Sequence, residues 1–380
     1  MYHNTSYTPQ RLSRNMHSLK IILICMLKST TYFTCIFIGA CRFTKAQFMK
    51  FLTALRTELG QLSYSLKARK TPQQWRDQYA AIRGIRIFNT PSIHYRGPRT
   101  EVWGIAMVKD EIDILPSVID HMFQQGVHRL LIADNLSHDG TREYIRERST
   151  HDSRIIYAED NYIPYVQSEK MTWLAHLAWR YGARWVIPFD ADEFWYAPSD
   201  TLAKFLQTCQ SSVIYAGFHH SVPVTENPSD VINTELVMDT ADSFPGKVAF
   251  RAHPFAVVVR GNHEVCRLGA HERSFEIVHV QYRGAAQITR KVRQGAASAV
   301  STGRDATVVT PHWLAGSKLS DSEIQEVWTN ISHGLPDDRI QFKAEGPMAR
   351  GKFLRWRIWN EDGSLNKFSS DASGNAGGSS

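Results

Sequence analysis

The chain has 380 residues, of which 43% are apolar, 11% aromatic and 21% charged, so it can bury a sizeable core and wholesale disorder is excluded. Five cysteines with no C-x-x-C pair exclude a disulfide framework and a structural zinc site, and reduced thiols in a cytoplasmic setting are expected. The net charge of +7 is uneven: residues 1–100 hold 16 Lys/Arg against two acids, a balance of +14 that leaves −7 for the remainder. Such a basic arm suits contact with anionic lipid or nucleic acid, or a solvated tail.

Residues 21–40, IILICMLKSTTYFTCIFIGA, are the most apolar window, and Cys25, Cys35 and Cys41 fall in or beside it. Its length suits a membrane span, but Lys28 and the polar run after it interrupt the window, and basic residues flank both sides. Three readings stay open: a weak signal-anchor, an interfacial helix, or an extension upstream of a start at Met49. Residues 1–48 are therefore set apart from a helical lead-in and linker over 49–100. Within the lead-in, Phe51, Leu52, Leu55, Leu59, Leu62, Trp75 and Tyr79 recur at helical spacing, which predicts helix over 50–85. Pro91 and Pro98 mark the linker.

From residue 101 short apolar strands alternate with helices. Strands are predicted at 102–108, 129–134, 155–160 and 184–190, and helices at 114–125, 141–148, 169–181 and 199–207. This β-α order predicts a mainly parallel sheet covered by helices, with ligands outside the carboxyl ends of the strands. Residues 101–212 form a Rossmann-like half. A looser, strand-rich half follows over 213–335, with strands predicted at 213–220, 247–252, 256–260 and 275–283. A C-terminal segment, 336–380, ends in the low-complexity run SSDASGNAGGSS.

Acids cluster where the strands end: Asp110 and Glu111; Asp134 with Asn135, Ser137 and Asp139; Glu159 and Asp160; Asp190, Asp192 and Glu193. Four such groups on one sheet edge share a cleft, and clustered carboxylates call for a cation. Oxygen ligands favour Mg²⁺ or Mn²⁺ over zinc. In an extended segment Asp190 and Asp192 point the same way and reach one metal together, with Ala191 turned aside.

The segments AMVKDEIDILPSVIDHMFQQGV, LLIADNLSHDGT and GARWVIPFDADEFW resemble the nucleotide-sugar-dependent glycosyltransferases of the family 2 type, over residues 101–300. The later IVHVQYRGAAQITRKVRQG resembles a further pattern of that family. The resemblance implies a GT-A fold, α/β with a mainly parallel (mixed) central sheet flanked by helices, and hexosyl transfer from a nucleotide-diphosphate sugar. It implies that Glu111, Asp134, Asn135, Ser137, Asp139 and Lys170 bind the donor nucleotide. Asp190, Asp192 and His279 would hold Mn²⁺ or Mg²⁺ on the diphosphate. Leu136 and His138 depart from the small residues usual in the second motif, and Asp110 stands where Asn is frequent. Inverting chemistry needs a carboxylate base. Glu264 is favoured, with Glu272 beside it in RGNHEVCRLGAHE and Asp242 in reserve, while His263 and His271 are candidate acceptor-site donors. Asp192 serves catalysis through the metal. Arg290, Lys291 and Arg293 reach diphosphate or line a solvated helix face. Trp173, Trp179, Trp185, Trp195 and Trp313 offer stacking faces or fill the core.

Two alternative functions make different demands on the sequence. A Mg²⁺-dependent nucleotidyltransferase predicts a Gly-rich phosphate loop after the first strand, where GIAMVKDEID stands. A binder of membrane or nucleic acid would use the basic arm but leaves the acids at the strand ends unexplained. The expected partners are thus a nucleotide-diphosphate sugar and a glycan, lipid or protein acceptor. Peripheral contact at the cytoplasmic membrane face is expected, and no nucleic acid.

Overall fold

The computed structural model describes residues 45–69, 71–91, 99–164, 166–241, 246–301, 311–340, 342 and 346–352. The apolar window 21–40, its three cysteines and Asp242 lie outside them. Among the described residues no helix is long and apolar enough to cross a membrane. The chain forms two compact units, Met1–Gly60 and Gln61–Ser380. Of the first, residues 45–60 are described, all within helix α1 (Lys45–Ala68). The second contains both halves expected from the sequence pattern, 101–212 and 213–335, joined by one sheet.

The helix predicted over 50–85 is two helices and a strand. The break falls before Pro72, which lacks the N–H that a continuing helix needs. Thr71 caps α2 (Pro72–Gly84): its Oγ1 accepts from Gln74 N at 3.3 Å, and Gln74 Oε1 accepts from Thr71 N at 3.1 Å. Ile85 then leads directly into β1 (Ile85–Ile87), which pairs antiparallel with the edge of the sheet.

The central elements follow the predicted order: β2 (Glu101–Val108), α3 (Leu115–Gln124), β3 (Arg129–Asp134), α4 (Thr141–His151), β4 (Ile155–Asp160), α5 (Gln167–Arg180) and β5 (Ala183–Pro188). A strand missed by the sequence pattern comes next, β6 (Glu193–Tyr196), then α6 (Leu202–Thr208), β7 (Val213–Pro223), β8 (Leu236–Asp239) and β9 (Lys247–Arg251). The hairpin β10 (Val257–Val258) and β11 (Val265–Cys266) precedes β12 (His271–His279), α7 (Ala285–Val300), α8 (Pro311–Gly316), α9 (Asp321–Ser332) and β13 (Met348–Gly351).

The sheet order is β1-β4-β3-β2-β5-β9-β7-β12-β6, with β8 on β7 and β13 on β8. Strands β4-β3-β2-β5 are parallel, as are β7 and β12; β9, inserted between β5 and β7, runs antiparallel to both. Alternation along β2 divides the core. Val102, Ala106 and Val108 pack with α3 residues Val118, Ile119 and Met122, whereas Trp103 and Ile105 face α5 residues Met171, Leu174 and Ala178. A third cluster joins α7 to α9 through Ile288, Val292, Ile324, Val327 and Ile331. Trp185 and Trp195 are fully buried, so they fill the core and offer no stacking face.

Only Phe189–Asp192 link β5 to β6, although three strands stand between them in the sheet. Flat, that separation would be about 19 Å at ~4.8 Å per strand. A tight turn cannot span it, so the sheet curls back and the turn sits in the fold. Gly104 in β2 makes room for the start of this turn. A Cβ there would meet Leu130 Cδ2 at 2.5 Å and Phe189 Cε1 at 2.9 Å. Gly104→Ala is therefore expected to lower stability by about 1–3 kcal/mol through overpacking. A thermal or urea midpoint equal to wild type would contradict the close seating of Phe189.

Candidate active site

All four acid-bearing strand ends lie on the carboxyl edge of the parallel strands, where ligands bind in such sheets. The loops after β2 and β3 are stitched together. Asp110 N donates to Ser137 Oγ (2.9 Å), His138 N to Asp110 Oδ1 (2.6 Å), Ile112 N to Asp139 Oδ2 (3.1 Å) and Glu111 N to Thr141 Oγ1 (3.0 Å). The turn requires left-handed backbone at Asp110 (φ 52°) and Leu136 (φ 58°). Leucine adopts that conformation at a cost, which is the physical meaning of its departure from a small residue.

Asp134 is fully buried, with Oδ2 accepting from Arg142 Nε at 2.8 Å. Its Oδ1 and Arg142 Nη2 are buried without a hydrogen-bond partner. Asn135 turns toward β4 and donates to Asp160 Oδ2 at 2.8 Å. Lys170 lies there too: its Nζ is 2.6 Å from Asp160 Oδ2, and its side chain is 1% exposed. Burial lowers the Lys170 pKa and raises that of Asp160, each against the pull of the other. Lys170 thus serves as the counter-ion of Asp160 in this conformation.

The D-x-D stretch is a turn and not extended: Glu193 N donates to Asp190 O at 3.3 Å. The two carboxylates consequently part. Asp190 Oδ2 lies 2.6 Å from Lys247 Nζ at the start of β9, and Asp192 Oδ2 lies 2.5 Å from Lys291 Nζ on α7. Glu193, fully buried, accepts from Asp190 N (3.0 Å) and Trp195 Nε1 (3.2 Å) through Oε2. Its Oε1 makes an ion pair with Lys247 at 2.9 Å without hydrogen-bond alignment.

The antiparallel register of β6 with β12 sets Glu193 opposite His279, and Val280 N donates to Asp192 O at 2.9 Å. His279 Nε2 comes within 3.4 Å of Asp192 Oδ1. Lys291 also donates to Glu111 Oε1 at 3.1 Å. Arg283, fully buried, grips Glu111 Oε2 and donates to Asp113 Oδ2 at 2.6 Å. Burial opposes the charge on Asp192, but Lys291, His279 and Arg283 outweigh it and hold the carboxyl well below its usual range. Burial raises Glu193 despite Lys247. Lys247, Lys291 and Arg283 are all raised, because the facing carboxylates overcome the desolvation of each cation.

Three cations thus meet five carboxylates: Glu111, Asp113, Asp190, Asp192 and Glu193. The excess of two negative charges and the oxygen-plus-imidazole chemistry of Asp190, Asp192 and His279 fit a Mn²⁺ or Mg²⁺ ion in kind. In position they do not converge, since each aspartate is drawn to its own lysine. Among the described residues no three His, Cys, Asp or Glu side chains are grouped to hold a metal.

Other candidates fall outside this constellation. Glu264 accepts from the Tyr215 hydroxyl at 2.7 and 2.8 Å and from Val265 N at 3.0 Å. Glu272 and His271 open β12, seven and eight residues from His279, or about 23–26 Å along a strand. That distance removes Glu272 as a base and His271 as an acceptor-site donor; Glu272 accepts from Ser211 and Ser274 there, at 2.6 Å each. His263 does stand near the site, with its Nδ1 2.7 Å from Gly246 O, next to Lys247. Arg293 pairs with Asp321 at 2.7 Å, while Arg290 donates to Asp110 O at 3.2 Å.

The sequence assigns no role to Lys247, Asn262 or the His219–Glu276 pair, and none to Arg283 although it closes the His-x-x-Tyr-Arg core of IVHVQYRGAAQITRKVRQG. Asn262 donates to Asp190 Oδ1 at 3.3 Å. His219 Nε2 lies 2.9 Å from Glu276 Oε2, where Gly217 leaves the carboxylate room. The signal for Lys247 was a charged residue opening an apolar strand, and for Arg283 an arginine beside two buried tyrosine and valine positions.

No family model matches the chain, and no curated protein matches it. Among solved structures it is similar to S. aureus TarS 1–349 in complex with UDP, at 9% identity and a TM-score of 0.31, covering 62% of this chain and 72% of that one. HddC from Yersinia pseudotuberculosis complexed with GMP-PN matches at 14% identity and a TM-score of 0.24, covering 47% and 73%. A putative glucose-1-phosphate thymidylyltransferase from Bacillus anthracis matches at 7% identity and a TM-score of 0.24, covering 60% and 95%. At such values the functional reading rests on the chain's own geometry.

Four neutral histidines lie in the sheet and the elements packed on it, His121 buried and His176, His220 and His263 half-buried. Burial lowers His121, His176 and His263 from 6.5 to about 4 and His220 to about 3. The unfolded chain binds these protons first, so the stability they contribute is complete above pH 6.5 and is lost as pH falls toward 4. Denaturation midpoints are expected to drop steadily from pH 6.5 to 4.5; a flat profile over that window would contradict their burial.

Proposed function

We propose that the chain is a glycosyltransferase that moves a sugar from a nucleotide-diphosphate donor to an acceptor hydroxyl with inversion. The observation that carries this reading is the Asp190–Asp192 turn, set against His279 and Lys291 at the carboxyl edge of the parallel strands. The nucleotide would lie over the stitched loops after β2 and β3. The ion pair of buried Asp134 with Arg142 would fix the floor of these loops beneath the base or ribose. Lys291 and Arg283 would face the diphosphate and stabilise the charge on the departing nucleotide. A divalent ion could be held by Asp190, Asp192 and His279 only if the two aspartates were drawn off Lys247 and Lys291, and it would then supply further charge neutralisation at the leaving group. The stretch after β2, GIAMVKDEID, has no Gly-rich phosphate loop, which speaks against the nucleotidyltransferase alternative.

Among UDP-, GDP-, dTDP- and CDP-sugars with Mn²⁺, one is expected to raise the melting temperature and to be slowly hydrolysed. Folded protein that responds to none would sink the reading. Asp192→Asn, which keeps the side-chain size, is expected to cut that hydrolysis by about 10²-fold or more, a loss of the size seen when one transition-state contact is removed.

For the acceptor base, Glu264→Gln separates two roles. Loss of a general base costs about 10²–10⁴ in kcat. Because the Glu264 carboxylate is already engaged by Tyr215, we expect a change in melting temperature with kcat within about tenfold of wild type.

A further inference from the structure

We propose that the exposed face of α2, with Ile163 and Val300 on the neighbouring rim of the cleft, docks on an anionic lipid bilayer, so that the cleft opens beside the membrane surface. Such docking requires no particular reaction in the cleft.

The two sides of α2 differ in kind. Asp77, Gln78 and Ala81 are buried, and Gln78 Nε2 donates to Glu169 O of α5 at 2.9 Å. Pro72, Trp75, Arg76, Tyr79 and Arg83 fall at helical spacing on the opposite side and are exposed. Among the described residues nine large apolar or aromatic side chains are exposed, and four of them, Tyr64, Leu66, Trp75 and Tyr79, fall within residues 64–79. Single exposed side chains are ordinary, but such a concentration marks an interaction surface.

Charge selects the partner. Residues 61–91 hold six Lys/Arg and one acid, Asp77. Asp77 is turned toward the protein, where it accepts from Gln73 Nε2 at 2.7 Å. The outer face of α2 thus presents cations with no acid among them. One face of each aromatic ring is already taken: Arg69 lies over Trp75 at 5.3 Å and Arg83 over Tyr79 at 5.6 Å. Nucleic acid would stack its bases on those faces. A lipid headgroup layer instead accepts ring edges, apolar bodies and cations together, as Trp, Tyr and Arg offer at membrane interfaces.

The same surface runs on to the cleft. At the end of α2, Asn161 N donates to Gly84 O at 2.9 Å, and a Cβ on Gly84 would lie 2.7 Å from Tyr162 Cβ. Next in the chain is Ile163, 57% exposed, whose carbonyl oxygen accepts from Ser298 Oγ of α7 at 3.4 Å. Val300, 60% exposed, ends α7. The loop after β4 therefore ties α2 to the helix that carries Lys291, with two exposed aliphatic side chains at that junction. Against water or a phosphate backbone they gain nothing, whereas against acyl chains they are buried.

The test is sedimentation of the full chain with vesicles of phosphatidylcholine, alone or in equal mixture with phosphatidylglycerol. Each basic residue at an anionic surface tightens binding by about fivefold. Arg76→Gln combined with Arg83→Gln is thus expected to bind the mixed vesicles about twentyfold more weakly than wild type. Added salt should weaken wild type in the same sense. Trp75→Ala with Tyr79→Ala, and Ile163→Asp with Val300→Asp, are each expected to lose about tenfold. Melting temperatures should stay near wild type, because all six side chains are exposed. A wild type that binds mixed vesicles no better than phosphatidylcholine alone would overturn the proposal. Binding carried by the chain ahead of Lys45 would leave all three variants at wild-type affinity, which would overturn it equally. Loss in the two α2 variants with full binding by Ile163→Asp and Val300→Asp would overturn the orientation of the cleft. A chain that ignores both vesicles but binds single-stranded RNA through Arg76 and Arg83 would give the face to nucleic acid and overturn the choice of lipid.

Discussion

Five carboxylates gathered at one sheet edge would repel one another apart unless positive charge were built in beside them. Everything else in the site follows from how Lys247, Lys291 and Arg283 meet that requirement. Buried ion pairs seldom add stability, because desolvation offsets the attraction. An apolar cluster of equal volume would hold this edge as firmly. The persistence of so many charges therefore argues for a ligand whose own charge the site must handle, and a nucleotide diphosphate with its counter-ion meets that description.

The curl of the sheet is the second constraint. Because Phe189–Asp192 must carry the chain from β5 to β6, the acids of the D-x-D turn are placed where two halves of the sheet fold toward each other. The register of β6 with β12 then supplies His279, and the continuation of β12 into α7 supplies Arg283 and Lys291. A flat sheet would have left the same residues on distant strands. Phe189 seated over Gly104 is the apolar anchor of that geometry.

Much of the architecture was legible in the residues. Strands at 129–134 and 155–160 match their predicted bounds, and the acids do sit at the carboxyl ends of the parallel strands. Such features depend on local periodicity, which a single sequence displays. β1 and β6 were not legible, because three- and four-residue strands become strands only by pairing with partners far along the chain. The direction of the D-x-D carboxylates failed for a related reason. An extended segment was assumed from the strand before it, yet the turn between two strands decides where the side chains point. Lys247, 57 residues after Asp190, gave no local sign of its partner.

The order of these contributions along the chain carries a further consequence. Asp134 and Asp160 find Arg142 and Lys170 within their own half, but the five site carboxylates come from residues 111–193 and the three cations that meet them come from 247–291. The half over residues 101–212 is therefore electrostatically incomplete until the later strands and α7 have packed. Its five site carboxylates would lack these partners and its edge would stay hydrated, even with its own apolar layers formed. Two halves distinguishable by sequence pattern are thus one cooperative object at the site. Charge compensation between them, more than the apolar contact across the sheet, is what would make the site appear only in the completed fold.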